Sequence, residues 1–256
     1  MVLKSGSVYF LLTSQAARWF PSQAAYATST SMLGPWFAAT GLGNGSTFGG
    51  QNADVRSFAG ARWYGQHSLP RPSRCGAIGR DDGALWLPVL FDPAKREARL
   101  DCYSRYTVDL KTGTLGLPLR LNLAAGRPGT TSSTAPGSSP DNANEGDYRT
   151  EWVAASPAFP AWWMVDLGAP KHISEVDISW WIRKGSEARY VYAIETSSDG
   201  VHFRTLERLD NPFYGFTVDK PDVTARYVRI RLTGATMANS ARNWYVPPLI
   251  DVRIFS

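Results

Sequence analysis

The amino-acid sequence is built from short runs in which apolar and polar residues alternate, and turns rich in glycine, proline or asparagine separate these runs. A period of two is that of a β-strand, and runs that recur about every dozen residues are typical of antiparallel β-architectures. Long amphipathic helical stretches are hard to find. Two of the alternating rows are Val176, Ile178, Trp180 and Val191, Ala193, Glu195. The pattern therefore predicts an all-β protein.

The sequence changes character near residue 119. Residues 1–118 carry strand-like runs between Gly-, Pro- and Asn-rich turns. A Ser-, Thr-, Gly- and Pro-rich stretch at 127–140 then leads into a second series of strand-like runs. Alone, such a stretch is typical of a flexible linker, but the patterned sequence after it indicates the first loop of another domain. We therefore predict two domains, 1–118 and 119–256.

Charge and hydropathy disfavour several classes of partner. The formal net charge is +5, its excess lies in residues 1–118, and the basic side chains are mostly isolated arginines. A nucleic-acid-binding surface needs clustered basic residues, so none is expected. No stretch approaches the roughly 18 apolar residues that span a bilayer, and the N-terminal residues lack a small-residue cleavage site. We expect neither a membrane span nor a signal peptide in this sequence, and its oligomeric state is left open.

Two cysteines, Cys75 and Cys102, lie in the N-terminal part. Such a pair can form a disulfide in an exported protein, but spacing alone does not show it. Two free buried thiols are the alternative, and the sequence leaves both open.

The order of motifs after residue 119 carries a family resemblance. In chain order the motifs are NLAAGRP, TTSST, NANEGDYRTEW, WWMVDLG, IETSSDG with VHF, ARYVRIRL and DVRIF. Together they resemble the coagulation factor 5/8 type C, or discoidin, domains, which include the family 32 carbohydrate-binding modules. The resemblance covers residues 119–256 and implies an eight-stranded β-sandwich of jelly-roll type. It also implies a domain that binds a sugar and catalyses nothing.

The segment NANEGDYRTEW indicates a cation site on chemical grounds. Glu145, Asp147 and Thr150 place oxygen-bearing side chains close together around Gly146, which permits a sharp turn. Calcium takes roughly six to eight oxygen ligands, some of them backbone carbonyls. Glu145 stands where the related modules usually have Asp, and a polar turn without a metal is the alternative. The resemblance implies a structural calcium held by the carbonyl of Asn142, the side chains of Glu145, Asp147 and Thr150, the carbonyl of Ile250, and Asp251.

Sugar binding in these modules falls to loops at one end of the sandwich. It needs an aromatic face for the apolar side of a pyranose and polar side chains for its hydroxyls. The segments 180–189, 210–216 and 238–248 qualify. Trp244 with Asn243 is the strongest choice, because an aromatic side chain in a polar loop beside two prolines has no obvious core to join. The predicted contact residues are Trp181, Arg183, Asn211, Tyr214, Arg242, Asn243 and Trp244.

Residues 3–117 carry a second resemblance. The motifs WFPSQAAYATS, GPW, TFGGQNADV, ARW and LWLPVLFD resemble glycoside hydrolase family 43, in the branch that acts on β-1,3-galactan. The catalytic domain of that family is a five-bladed β-propeller, and the resemblance covers its later part. Propeller repeats are about 40–50 residues long. Residues 1–118 are therefore expected to form a partial β-propeller of two to three blades.

The residues for hydrolysis are missing from the matching motifs. Inverting hydrolysis needs a carboxylic acid and a carboxylate base on either side of the sugar bond. The acidic Glu of the family lies upstream of the strand that matches SVYFLLTS, at a point that this sequence does not reach. We therefore expect no catalytic residue here, with Gln51 and Asp54 lining what remains of a pocket. The acids present in this part, none of them in a matching motif, are Asp54, Asp81, Asp82, Asp92, Glu97, Asp101 and Asp109.

The sequence thus predicts a carbohydrate-binding protein derived from a galactan-type polysaccharide hydrolase. We expect a galactose-containing glycan as its partner, calcium in its C-terminal domain, and an extracellular or periplasmic parent protein. One alternative is an active hydrolase, completed by another chain or by upstream sequence. A second is a discoidin-type adhesion protein, although the balanced charge of residues 119–256 disfavours binding to anionic lipid.

Overall fold

The computed structural model describes residues 1–14, 22–58, 61–68, 75, 84–103, 105–182, 188–211, 215–237 and 246–256. The chain divides into two compact units, Met1–Leu119 and Arg120–Ser256. Nearly every regular element is a β-strand, so the predicted all-β class is confirmed. Among the described residues the one helix is a 3₁₀ turn at Pro140–Ala143, and no helix there is long and apolar enough to cross a bilayer.

The N-terminal unit contains two four-stranded antiparallel sheets, and in each the order along the chain is also the order in space. Alternate residues of β2 point into the core, where Phe10 is fully buried. A separate hairpin pairs β9 with β10. The strands of the first sheet are β1 (Val2–Ser5), β2 (Val8–Ser14), β3 (Ala24–Ser29) and β4 (Thr40–Leu42). Those of the second are β5 (Gly50–Phe58), β6 (Ala61–Ser68), β7 (Ala84–Asp92) and β8 (Glu97–Leu100), and the hairpin consists of β9 (Thr107–Asp109) and β10 (Thr114–Gly116).

The two cysteines of this unit form a disulfide. Cys75 and Cys102 are both buried, and their Cα atoms lie 5.3 Å apart. Of the two alternatives that the sequence leaves open, the structure has the bridged one.

The C-terminal unit is a β-sandwich. A five-stranded sheet has the order β11-β13-β18-β15-β16, a three-stranded sheet has the order β17-β14-β20, and a short pair joins β12 to β19. The earlier strands are β11 (Gly129–Thr131), β12 (Trp152–Val153), β13 (Ala161–Ile173), β14 (Glu175–Ser179) and β15 (Ala188–Ser197). The later strands are β16 (Arg204–Asn211), β17 (Phe216–Asp219), β18 (Val223–Met237), β19 (Pro248–Leu249) and β20 (Asp251–Phe255).

The core of the sandwich follows one of the two predicted rows. Val176, Ile178 and Trp180 are fully buried in it. In β15 the core row is instead Tyr190, Tyr192 and Ile194. Because successive side chains of a strand point to opposite faces, the other predicted row lies on the outer face of the five-stranded sheet. That row is Val191, Ala193 and Glu195.

Arg120, the first residue of this unit, contacts the strands β14 and β20 of the three-stranded sheet. Its guanidinium donates to the carboxylates of Glu175 and Asp177, at 2.9 Å from Asp177 Oδ2. It also lies 3.8 Å from the ring centre of Phe255 in β20. Burial raises the pKa of Asp177 to about 7, against the opposing effect of Arg120 and with a further increase from the charge of Glu175. The cluster is therefore a buried charged contact that joins the beginning of the unit to its end.

Candidate functional site

Strand register brings the predicted sugar segments to one end of the sandwich. In the five-stranded sheet, Tyr190 near the start of β15 lies opposite both Asn211, at the end of β16, and Ala235, near the end of β18. Neighbouring strands are antiparallel, so β15 begins where its two neighbours end. The segments that precede β15, follow β16 and follow β18 therefore leave the sheet at the same end of its strands.

The three-stranded sheet ends at the same place. Trp180 directly follows β14, and its backbone N–H donates to the carbonyl of Gly215, which precedes β17, at 2.8 Å. Its indole stacks on Tyr190, with ring centres 4.6 Å apart and an angle of 18° between the planes. Trp180 thus connects β14, β15 and β17 at this end. We call the segments 180–187, 212–214 and 238–245 the loop end.

Two of the predicted sugar residues fall within the described part of the chain. Trp181 is partly exposed, in contrast to the fully buried Trp180, and its carbonyl accepts a hydrogen bond of 2.5 Å from the Tyr190 hydroxyl. Asn211 is the last residue of β16. The rest of the predicted set lies outside the described residues: Arg183, Tyr214, Arg242, Asn243 and Trp244.

The predicted calcium loop, residues 142–150, adjoins the loop end through a short strand pair. Trp152 of β12 lies opposite Leu249 of β19, and the N–H of Ala154 donates to the carbonyl of Pro247 at 3.0 Å. The strand β12, which follows the calcium loop, therefore pairs with β19, which follows segment 238–245.

The last two predicted calcium ligands, Ile250 and Asp251, lie at the same end of the sandwich. The N–H of Ile250 donates to the carbonyl of Ser179 at 3.0 Å, and Asp251 lies opposite Ser179 in the three-stranded sheet. The Asp251 side chain is buried, and its Oδ2 accepts from Nε of Arg253 at 2.7 Å. The Arg253 guanidinium also lies 4.9 Å from the ring centre of Tyr148 in the loop. Arg253 therefore links the calcium loop to the last strand.

Oxygen atoms of the loop converge around one hydroxyl. Oγ1 of Thr150 donates to the Glu145 carboxylate and lies 3.1 Å from the carbonyl oxygen of Asp147. One carboxylate, one hydroxyl and one carbonyl are thus neighbours within six residues of chain.

The remaining side chains of the loop have other partners. Both carboxylate oxygens of Asp147 accept from Arg149, at 2.8 Å from Nε and 2.7 Å from Nη2, and this hydrogen bonding lowers the pKa of Asp147. The Asn142 amide donates to the carbonyl of Glu151 at 3.1 Å. In this conformation the Asp147 carboxylate is paired with Arg149, so a cation would compete with that guanidinium for it.

Asn144 is a structural residue of the loop that the sequence reasoning missed. It is buried, and its Nδ2 donates to the carbonyls of Ala124 and Arg127 at 2.6 and 2.8 Å. Its Oδ1 is also buried and has no hydrogen-bond partner among the described residues. Asn144 therefore fixes the loop to the turn that opens the sandwich. Nothing in the motif distinguishes it from its exposed polar neighbours.

The residues of the loop fit a hard cation such as calcium. They supply a carboxylate, a hydroxyl and carbonyl oxygens, which are the ligands that calcium prefers. Within the described ranges, no three His, Cys, Asp or Glu side chains converge as metal ligands. A cation here depends on carbonyl and hydroxyl oxygens at least as much as on carboxylates.

Several acidic residues described in the N-terminal unit have structural partners. Asp54 accepts from Arg56 at 2.6 Å, which lowers the pKa of its carboxyl, and Asp101 accepts from Arg99 at 2.8 Å. Gln51 is partly buried near the start of β5. Asp81 and Asp82 lie outside the described residues.

Comparison with known families identifies part of the C-terminal unit. The family model of the F5/8 type C domain matches residues 128–245, so the chain carries such a domain there. A comparison with curated proteins finds no match.

Several solved structures are similar to this chain. One is the chitosan-binding module 2 of a chitosanase/glucanase from Paenibacillus sp. IK-5, in complex with chitotriose (24% identity, 53% of this chain and 100% of that chain, TM-score 0.45). A second is the CBM32 of AlyQ in complex with 4,5-unsaturated mannuronic acid (22% identity, 54% and 98%, TM-score 0.44). A third is CpGH89CBM32-4, produced by Clostridium perfringens, in complex with GlcNAc-α-1,4-galactose (14% identity, 54% and 94%, TM-score 0.45).

Proposed function

We propose that the C-terminal unit is a carbohydrate-binding domain that takes a galactose-containing glycan at the loop end. The strand register carries this proposal, because it brings three segments rich in aromatic, arginine and asparagine residues to one end of an F5/8 type C domain. The apolar face of a pyranose packs against an aromatic ring, while arginine and asparagine side chains donate hydrogen bonds to the sugar hydroxyls. Trp181 and Trp244 are the proposed aromatic contacts.

The proposal is tested by affinity electrophoresis of the full chain in gels that contain β-1,3-galactan, chitosan or no polysaccharide. Retardation by galactan that is lost in Trp244→Ala supports it. Phe37→Ala is the matched control, because it removes an exposed aromatic side chain from the N-terminal unit. Mobility unaffected by any polysaccharide, or equal retardation of wild type and Trp244→Ala, contradicts it.

We further propose that calcium occupies the loop at 142–150. A calcium held by the carboxylates of Glu145 and Asp251 would supply positive charge to them and would restrict the loop to one conformation. The residues of this chain do the rest: Asn144 fixes the loop to the opening turn, and the pair of β12 with β19 transmits its position to segment 238–245.

For the N-terminal unit we propose an origin in the propeller of glycoside hydrolase family 43. Its two four-stranded sheets, each in up-and-down order, support this, because four antiparallel strands are the unit of a propeller blade. Hydrogen bonds to arginine occupy the carboxylates of Asp54 and Asp101, and we expect the chain not to hydrolyse polysaccharide. Galactose released from β-1,3-galactan by an assembly of the purified chain would favour the alternative of a working site.

We also propose that the parent protein is exported. The disulfide between Cys75 and Cys102 supports this, because disulfides persist mainly in oxidising compartments.

A further inference from the structure

The outer face of the five-stranded sheet carries a row of side chains that the loop end does not use. Trp162 of β13 lies opposite Arg231 of β18. Arg231 lies opposite Ala193 of β15, which lies opposite Arg208 of β16. Residues that face one another across neighbouring strands point to the same side, and the residues flanking this row, such as Trp163, belong to the core. Trp162, Arg231 and Ala193 therefore point away from the core.

The neighbouring row holds the indole of Trp162 in place. The guanidinium of Arg229 lies 3.7 Å from the ring centre of Phe203 and 5.8 Å from that of Trp162. Its Nε donates to Glu195 Oε2 at 2.6 Å, and Thr205 donates to the other oxygen of that carboxylate at 3.3 Å. Arg229 is thus neutralised by Glu195, stacks on Phe203 and lies near the ring of Trp162. Trp162 is partly exposed, and a ring that neighbouring side chains restrict loses less conformational freedom when it binds a sugar.

Arg231 differs from Arg229. Its side chain is partly buried beside Trp162, and among the described residues it has no hydrogen bond or ion pair. Ala193 on its other side leaves only a methyl group between the positions of Arg231 and Arg208. These two positions are about two interstrand spacings, roughly 10 Å, apart.

The described side chains of this face include one guanidinium that is not neutralised. Arg229 and Glu195 neutralise each other. Arg231 lies two residues further along β18 and has no ion pair among the described residues. Such a guanidinium beside an aromatic ring on a flat face is complementary to a sugar that carries an anion. Guanidinium binds a carboxylate through two parallel hydrogen bonds, which a neutral sugar does not offer.

We propose that this face is a second carbohydrate site, separate from the loop end, which binds an acidic polysaccharide of the uronic-acid class. Trp162 stacks on the apolar side of one sugar ring, and Arg231 binds a carboxylate of the chain. The proposal does not depend on sugar binding at the loop end.

The test measures binding of the full chain to immobilised polygalacturonate and, separately, to neutral β-1,3-galactan. Trp162→Ala and Arg231→Ala are each expected to weaken polygalacturonate binding about tenfold, which corresponds to about 1.4 kcal/mol. Arg231→Lys is expected to lose most of the same affinity because it keeps the charge but not the paired donors. Added salt should weaken binding, since one partner is a charged polymer.

Lys171→Ala is the matched control, because it removes one exposed positive charge from β13, nine residues beyond Trp162. It should leave the affinity unchanged. Trp244→Ala should leave polygalacturonate binding intact. Binding to β-1,3-galactan tests the loop-end proposal, so a failure of that proposal is distinguished from a failure of this one. Circular dichroism and the unfolding temperature establish that each variant is folded. The proposal is overturned if wild type does not bind polygalacturonate, if both face variants bind like wild type, or if Lys171→Ala loses as much affinity as Arg231→Ala.

Discussion

Trp152 lies opposite Leu249 in a two-residue antiparallel pair, and this pair joins the strand after the predicted calcium loop to the strand after segment 238–245. Trp152 is fully buried, and its indole N–H donates to the carbonyl of Ser133 at 3.1 Å. The strand after the predicted calcium loop and the strand after segment 238–245 are therefore parts of one packed unit.

Calcium is expected to stabilise the folded protein. At a free concentration about one hundred times its Kd, a ligand that binds only the folded state adds about 2.7 kcal/mol. The unfolding temperature of metal-stripped protein should rise on calcium titration, and this rise should largely disappear in Glu145→Gln and Thr150→Ala. Asp222→Asn, which changes an exposed carboxylate elsewhere in the sandwich, should retain it. An unfolding temperature that calcium does not move would refute the calcium site.

Replacement of Asn144 is expected to destabilise the sandwich with or without calcium. Asn144→Ala removes the Nδ2 donor to the Ala124 and Arg127 carbonyls. The Ala124 carbonyl keeps the N–H of Arg127 at 3.2 Å, whereas a buried acceptor that is left unpaired costs about 1–3 kcal/mol. Urea unfolding followed by tryptophan fluorescence measures the loss. Asn142→Ala removes a single, partly buried hydrogen bond and should cost less. Equal effects of the two substitutions would show that Asn144 does not anchor the loop.

The buried cluster around Arg120 predicts a pH dependence. Burial raises the pKa of Asp177 from 3.8 to about 7, so between these values the folded state binds a proton that the unfolded state releases. The free energy of unfolding should therefore fall as the pH rises from about 4 to about 7. Asp177→Asn should flatten this part of the profile, whereas Glu97→Gln, which changes an exposed carboxylate of the N-terminal unit, should not. A profile that Asp177→Asn leaves unchanged would argue against a raised pKa.

The disulfide between Cys75 and Cys102 predicts how the two cysteines react with an alkylating reagent. Alkylation of the denatured protein without reductant should leave both cysteines unmodified, and reduction should expose both. Replacement of both cysteines by serine should cost the N-terminal unit about 3 kcal/mol, in the range expected for closing a loop of this length. Alkylation of both cysteines in the unreduced protein would show that they are free thiols.

Local features of the fold could be predicted from the sequence. The run SVYFLLTS predicts a strand, and the structure has β2 there. The residues Lys-Thr-Gly at 111–113 predict a tight turn. The structure has this turn between β9 and β10, where Asp109 accepts from the N–H of Lys111 at 2.8 Å and Gly113 has a φ of 67°. Each of these depends on residues close together in the chain, so the local pattern suffices.

Features that depend on distant residues could not be predicted. Arg120 meets Asp177 across 57 positions, and no local pattern pairs them. In ARYVYAIET both alternate rows of β15 contain apolar residues, so periodicity does not say which row faces the core, and Ala193 and Glu195 were not recognised as outer-face residues. The predicted calcium ligands combine the loop at 142–150 with Asp251 of the last strand. Only the family resemblance implied that these distant residues belong to one site. Most of the predicted sugar residues lie outside the described part of the chain and stay predictions.

The most direct test of a sugar-binding loop end is calorimetric titration of the full chain with β-1,3-galacto-oligosaccharides. We expect saturable binding with one site per chain, a loss of at least about tenfold in affinity in Trp244→Ala, and no change in Phe37→Ala. Absence of binding heat to any galactose-containing oligosaccharide, or an affinity that Trp244→Ala leaves intact, would contradict it.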